Sequence, residues 1–182
     1  MGADAQTSPR PRLSARTVKS LADTKQHWIT ATAYDRTCAR RADELATRDN
    51  WVMNVVLVLT TTSSLGVFGA LVEHNPATWA RVTVFVMTTA AAVLTAMRQQ
   101  NNWSQTSSTL RMRGAEWNKQ RCILGDHAER IIEGGSLTAT ERRRVDEGNS
   151  RLLRDHPPIP QRMYDAAARK AAEDFERIYE FT

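Results

Sequence analysis

The chain has 182 residues, a formal net charge of +5 and a mean hydropathy of −0.48, values typical of a basic, water-soluble protein. Its two cysteines and four scattered histidines provide neither a disulfide framework nor the ligand spacing of a metal site. These averages conceal two almost uncharged segments, and those segments decide which class of protein this is.

The chain begins with a polar tail and continues as a long helix. Residues 1–13 contain no apolar stretch, so we expect a disordered tail without a cleavable signal. Residues 14–50 contain no Gly or Pro and predict an N-terminal cytoplasmic helix. The apolar side of this helix is a thin stripe of Leu21, Trp28, Ala31, Cys38, Ala42 and Leu45. Such a stripe cannot stabilise an isolated helix, so we expect it to dock on the helix after the second apolar segment.

Two apolar segments follow, at about residues 51–72 and 78–97. A helix of 22 residues rises ~33 Å, enough for a bilayer core of ~30 Å. The first segment carries no charge on any face, whereas a soluble helix needs a polar face. We therefore predict a transmembrane hairpin over residues 51–97. The alternative is two core helices of a soluble bundle, because Asn54 and the polar run 60–64 weaken the apolar signal.

Arginines outside the hairpin predict its orientation. They precede the first span and follow the second, at Arg36, Arg40, Arg41, Arg48, Arg98, Arg111 and Arg113. The connecting loop, residues 73–77, has no Arg or Lys, and Arg81 lies one turn into the second helix. The positive-inside rule places both termini in the cytoplasm and the Asn75-Pro76 turn outside. Trp51, Trp79 and Trp103 mark the ends of the spans.

The cytoplasmic region, residues 98–182, begins with a heptad pattern. Apolar residues recur every seven positions at Trp103, Leu110, Trp117, Leu124 and Ile131. This predicts that the second span continues without interruption as a helical stalk. The stripe either packs within one subunit or joins subunits, and in the second case Leu110, Leu124 and Ile131 are the contact residues.

Two further helices are predicted after Gly134-Gly135. Thr138 and Glu141 have the spacing of a capping box, and this helix ends before the proline-rich stretch 157–160. A last helix, at about 160–180, has an apolar face of Met163, Tyr164, Ala167, Ala171, Phe175 and Ile178. No segment alternates at period two. The prediction is an all-α membrane protein, with long cytoplasmic helices before and after a two-span hairpin.

Polar side chains within the hairpin are candidate pore-lining residues. Asn54, Thr61 and Ser64 lie close to one face of the first span, and Thr88 and Thr95 lie on the second. Such residues either let membrane helices pack closely or line a water-filled path. Two helices cannot enclose a pore, so a path requires a homo-oligomer, a tetramer or larger.

A basic stretch beside the second span is a candidate anion-binding site. Its residues are Arg98, Arg111, Arg113 and Arg121, with Trp103 and Trp117 nearby. Guanidinium groups match phosphate and indoles stack on bases, which suits a phosphate-rich ligand. The same charges suit the positive-inside rule and the anionic headgroups of the lipid bilayer equally well. The sequence has no glycine-rich phosphate loop, nucleophile elbow or metal cluster, so we expect no enzyme and no cofactor.

The layout as a whole resembles a known family. A long helix precedes a tight hairpin, the second span leads into the pattern W-x6-L-x-M-R-G-A-E-W, and a proline-rich break precedes a final helix. In residues 14–180 the chain resembles the SLATT family, two-transmembrane effector domains of bacterial nucleotide-linked conflict systems. The resemblance implies a pore-forming effector of anti-phage defence by abortive infection, located in the inner membrane of a bacterium. It further implies a cyclic nucleotide or short oligonucleotide ligand, made by a partner nucleotidyltransferase.

Two other hypotheses fit the same sequence. A membrane-anchored helical interaction or scaffold protein without a pore would have the same hairpin. A soluble helical bundle that binds nucleic acid would have the same net charge. Cell fractionation separates the soluble protein from the membrane proteins, and ion flux separates a pore from a scaffold.

Overall fold

The computed structural model describes residues 15–72, 78–156 and 158–179. Within these ranges every regular element is an α-helix, which confirms the prediction of an all-helical protein. The predicted tail, residues 1–13, and the Asn75-Pro76 turn lie outside the described residues. The helices are α1 (Ala15–Val72), α2 (Thr78–Asn101), α3 (Trp103–Ile132), α4 (Ala139–Arg154) and α5 (Gln161–Tyr179).

Helix α1 combines the predicted N-terminal helix and the first apolar segment into one element. It contains 58 residues, which corresponds to a length of ~87 Å. The first glycine in α1 is Gly66, and α1 contains no proline. Nothing in the sequence between residues 15 and 65 therefore favours a break, and the helix continues from the charged segment into the apolar one.

The junction between α2 and α3 differs from the predicted uninterrupted stalk. Asn102 has a φ of 45°, in the left-handed region, and ends α2. Asn tolerates this conformation better than most residues, because its short polar side chain bonds locally. The next helical hydrogen bond runs from the Thr106 N–H to the Asn102 carbonyl, at 2.9 Å. The prediction of an unbroken helix was therefore wrong at this one residue.

The described helices divide into two compact units. Unit 1 comprises the described residues up to Thr37 and those from Gly114 onward, and unit 2 comprises Cys38–Arg113. Unit 1 therefore contains the first part of α1, most of α3, and all of α4 and α5. Unit 2 contains the hairpin helices and the first residues of α3.

Unit 1 is built around large buried side chains. The rings of Trp28 and Phe175 meet edge to face at 5.3 Å, and Tyr34 stacks on Trp117 at 4.8 Å with an interplanar angle of 16°. Trp117 and Phe175 are fully buried. Aromatic pairs of this kind add to the stabilisation that burial of their area provides. The docking stripe predicted on α1 is buried at all six of its positions: Leu21, Trp28 and Ala31 lie in unit 1, and Cys38, Ala42 and Leu45 lie in unit 2.

Ion pairs add to the contact between α1 and α5 in unit 1. Arg36 donates to Asp174 at 2.6 Å, and Lys25 donates to Glu176 at 2.8 Å. The hydrogen bond from Arg36 is the main reason that the pKa of Asp174 is lowered. The predicted apolar face of α5 is correct at Ala171 and Phe175, which are buried, whereas Ile178 is 56% exposed. At this end of α5 it is Tyr179 that reaches α3, where its hydroxyl donates to the Gly125 carbonyl at 3.4 Å.

The start of α4 confirms the predicted capping box. The Glu141 N–H donates to the Thr138 hydroxyl, and the Thr138 N–H donates to the Glu141 carboxylate at 2.8 Å. Arg130 also donates to Glu141, at 2.6 Å. Hydrogen bonds from the Thr138 backbone, the Thr138 hydroxyl and Arg130 together lower the pKa of Glu141 to about 2.

This shift predicts a pH dependence of stability. Because the pKa of Glu141 is lowered in the folded state, its contribution is complete above its ordinary value of 4.5 and is lost as the pH falls toward about 2. Lowering the pH from about 5 to about 2.5 should therefore reduce the free energy of unfolding more in the native chain than in the Glu141→Gln variant. Urea unfolding at each pH measures this free energy. An identical loss of stability in the native chain and in the Glu141→Gln variant would contradict the capping contacts of Glu141.

In unit 2 the second part of α1 runs antiparallel to α2 and the start of α3. The Ser107 hydroxyl donates to the Ala42 carbonyl at 2.9 Å, and at the far end Gly66 faces Val84. A Cβ atom added at Gly66 would lie 2.8 Å from Val84 Cγ2, so the two helices approach closely there. Small residues at such contacts are characteristic of helix pairs in membranes.

Candidate functional site

The hairpin in unit 2 exposes an extensive apolar surface. Two helices are long and apolar enough to cross a membrane. In their most apolar 18-residue stretches only 11% and 6% of the residues are buried, whereas a core helix of a soluble protein is mostly buried. Within the described part of residues 51–97, the exposed large apolar residues are Trp51, Met53, Leu57, Val58, Leu65, Val67, Trp79, Val82, Phe85, Val86, Val93 and Met97.

The polar residues predicted on the first span lie on the outer face of α1. Asn54, Thr61 and Ser64 are exposed, while Val52 and Ser63, on the opposite side of the helix, are buried. The hydroxyl of Thr61 donates to the Leu57 carbonyl at 2.8 Å, four residues earlier. Bonds of this type satisfy the hydroxyl hydrogen within the helix and leave the oxygen free to accept from water or from another subunit.

The two predicted residues on the second span have the same geometry. Thr88 and Thr95, seven residues apart, lie on one side of α2 and are exposed. Each donates at 2.8 Å to a backbone carbonyl one turn earlier, that of Val84 and that of Ala91. The hairpin thus has exposed hydroxyl groups on both helices, within a largely apolar surface.

Ser63 differs from its neighbours in the hydroxyl run. It is 7% exposed, and its Oγ finds no hydrogen-bond partner within the described part of the chain. Sequence analysis grouped residues 60–64 together and did not distinguish it. The distinguishing signal was its spacing of eleven residues from Val52, about three turns, which places it on the inner side of the helix.

The arginines nearest the second span are paired with carboxylates of α1. Arg98 binds Asp49 in a bidentate pair, with Nε to Oδ1 at 2.6 Å and NH2 to Oδ2 at 2.9 Å. This hydrogen bonding lowers the pKa of Asp49. Arg111 donates to Asp43 at 3.1 Å, and Arg113 is half-buried. Asp43 and Asp49 were missed in the sequence, because they lie 68 and 49 residues from their partners.

Of the other three members of the predicted anion site, Arg121 and Trp117 belong to unit 1, and both are in contact with neighbouring side chains. Arg121 donates to Asn118 at 2.6 Å and lies 3.5 Å from an Asp35 carboxylate oxygen. Burial raises the pKa of Asp35, and the charge of Arg121 opposes that shift. Trp117 is fully buried with Tyr34 stacked on its ring, so that face is not open to a base. Trp103, in unit 2, is half-buried.

The heptad residues predicted as oligomer contacts are buried within the chain itself. Leu110 is 3% exposed, and Leu124 and Ile131 are each 1% exposed. Their side chains leave no surface for another subunit, so the structure favours the first of the two alternatives, packing within one subunit.

These observations define an all-helical protein with two helices that are long and apolar enough to span a membrane. Among residues 15–72, 78–156 and 158–179 no group of three His, Cys, Asp or Glu side chains could hold a metal ion. The chain matches no protein-family model, and no curated protein or solved structure is significantly similar to it.

Proposed function

We propose that this protein is an oligomeric effector of the bacterial inner membrane that forms an ion-conducting or membrane-disrupting pore. The observation that carries the proposal is the exposed apolar surface of the hairpin, where Trp79 and Phe85 are 73% and 72% exposed. In water such a surface would aggregate, whereas in a bilayer it contacts lipid tails. Membrane insertion with both termini in the cytoplasm also follows from the arginines that flank the spans.

The polar outer faces of the hairpin support assembly into an oligomer of four or more subunits. In a single subunit Asn54, Thr61 and Ser64 would face lipid. In an oligomer the same groups bond across helices or line water, where their free acceptor oxygens are satisfied. Because the heptad of α3 is buried within the chain, these outer faces are the contacts we propose between subunits.

The biological role follows the resemblance to the SLATT family. By this resemblance, the pore damages the host membrane during phage infection. A cyclic nucleotide or oligonucleotide, made by a partner nucleotidyltransferase, controls the pore. The resemblance alone supports this ligand, because Arg98, Arg111 and Arg121 each pair with a carboxylate of α1. A nucleotide at these arginines would have to replace Asp49, Asp43 or Asp35.

Reconstitution in liposomes tests the pore directly. Vesicles with trapped K⁺ should lose it when they contain the purified protein, and empty vesicles carried through the same procedure should not. Protein that inserts and assembles yet releases no ion, with and without oligonucleotides, would contradict the pore. That result would instead support a membrane-anchored scaffold, which has the same hairpin.

A further inference from the structure

The outer face of α1 within the hairpin carries a regular pattern of exposed side chains. They follow one another at steps of three, four, three and four residues: Trp51, Asn54, Val58, Thr61 and Leu65. The three apolar members are 63%, 63% and 67% exposed. Alternating steps of three and four residues are the spacing at which one helix packs along another in a coiled coil. We call these five residues the outer seam.

The outer seam lies on the side of α1 opposite to the buried side. Val52 and Ser63, on the buried side, are 6% and 7% exposed. At ~100° per residue, Asn54 lies ~160° around the helix from Val52 and ~180° from Ser63. The described part of the hairpin therefore leaves the outer seam uncovered.

Asn54 is the polar member of the outer seam whose side chain lacks a partner. The Thr61 hydroxyl already donates to the carbonyl one turn earlier, at 2.8 Å. On α2 the amide of Asn101 donates in the same way to the Met97 carbonyl, at 2.8 Å. The Asn54 amide forms no hydrogen bond with the residues that the structure describes. Lipid tails offer neither donors nor acceptors, so an amide that faces them loses the hydrogen bonds it makes in water.

A second copy of this chain supplies what the Asn54 amide lacks. Copies inserted in the same orientation are related by an axis along the membrane normal, so the same residue lies at the same depth in each. The amide of asparagine both donates and accepts, and two such amides therefore bond to each other. Asparagines make such bonds between membrane helices, and a single asparagine in a coiled-coil seam sets its register.

We propose that copies of this chain meet along the outer seam, with their α1 helices parallel and each Asn54 amide hydrogen-bonded to the Asn54 amide of the next copy. Val58 and Leu65 pack against the same residues of that copy. In a bundle of four or more helices the seams converge on the central axis, so Asn54 and Thr61 also border the path. The inference rests on the proposed membrane insertion and names the contact that holds the proposed oligomer together.

Disulfide cross-linking in phosphatidylcholine vesicles tests the outer seam. In a chain that carries Cys122→Ser, Val58→Cys should form a cross-linked dimer on oxidation, because the two α1 helices bring this position together. Met53→Cys in the same background is the control. Met53 is 53% exposed on the same helix but lies ~140° around it from Val58. Cross-linking at position 58 that does not exceed cross-linking at position 53 would overturn the outer seam.

Two substitutions of Asn54 test the amide contact itself. Asn54→Val should weaken self-association about 3- to 30-fold, the range expected for one hydrogen bond between membrane helices. Asn54→Gln keeps an amide and should associate nearly as tightly as the native chain. Energy transfer between copies labelled at the exposed Cys122, measured as the protein is diluted with lipid, gives the affinity. Native affinity of Asn54→Val would overturn the amide contact.

Extraction with alkaline carbonate separates failure of this inference from failure of the proposed function. Protein that resists extraction, yet gives no preferential cross-link at position 58, would overturn the outer seam and leave membrane insertion standing. Protein that carbonate releases from the vesicles would overturn membrane insertion, on which both the pore and the outer seam rest.

Discussion

Replacing Leu124 with Ala should lower the free energy of unfolding by about 2–5 kcal/mol, whereas Ile123→Ala should lower it by less than about 1 kcal/mol. The two residues are neighbours on α3, but Leu124 is 1% exposed and Ile123 is 45% exposed. Truncation of a buried leucine removes its transfer free energy and leaves a cavity, whereas a half-exposed side chain loses less area. Urea unfolding followed by tryptophan fluorescence, in the same detergent for both variants, measures the difference.

The same pair of variants distinguishes the two predicted roles of the heptad. If Leu124 packs within the subunit, the folded fraction of Leu124→Ala should retain the native oligomeric mass. Equal stability of the two variants, together with a smaller mass for Leu124→Ala, would show instead that this stripe joins subunits.

Thr61→Leu should abolish ion release from liposomes without preventing insertion or assembly. Thr61 lies on the outer face of α1, where we propose that subunits surround the path, and its hydroxyl is already bonded to the Leu57 carbonyl. A leucine there adds bulk and removes the free acceptor, and apolar constrictions close pores by excluding water. The measurement is K⁺ release at equal protein content per vesicle.

Thr61→Ser is the matched control for this substitution. It keeps the hydroxyl and its bond along the helix, so ion release should remain near the native rate. Thr95→Leu on α2 tests whether the second helix also contributes to the path. Native ion release from both leucine variants would show that these hydroxyls serve helix packing and that the path, if present, lies elsewhere.

Local sequence patterns predicted much of the fold. The stripe on α1, from Leu21 to Leu45, has helical spacing and is buried as expected, and Thr138 with Glu141 forms the capping box that its spacing implies. These features depend on residues within one or a few turns. The break at Asn102 was not predictable in this way, because asparagine also occurs inside helices and only the backbone conformation distinguishes the two cases.

The candidate site was less predictable, because its partners are distant in sequence. Arg98 appeared as an available cation until the fold brought Asp49 to it from 49 residues away. Trp117 appeared as a possible stacking platform, but Tyr34 of α1 covers its ring.

Cysteine labelling in intact cells tests the membrane hairpin most directly. A cysteine introduced as Asn75→Cys, in a chain that also carries Cys122→Ser, should react with an impermeant maleimide added outside. In the chain without substitutions, Cys122, which is exposed in unit 1, should react only after lysis. The remaining Cys38 is buried and serves as the unreactive background. Labelling of position 75 only after lysis, or of Cys122 in intact cells, would contradict a hairpin that crosses the membrane twice with both termini inside.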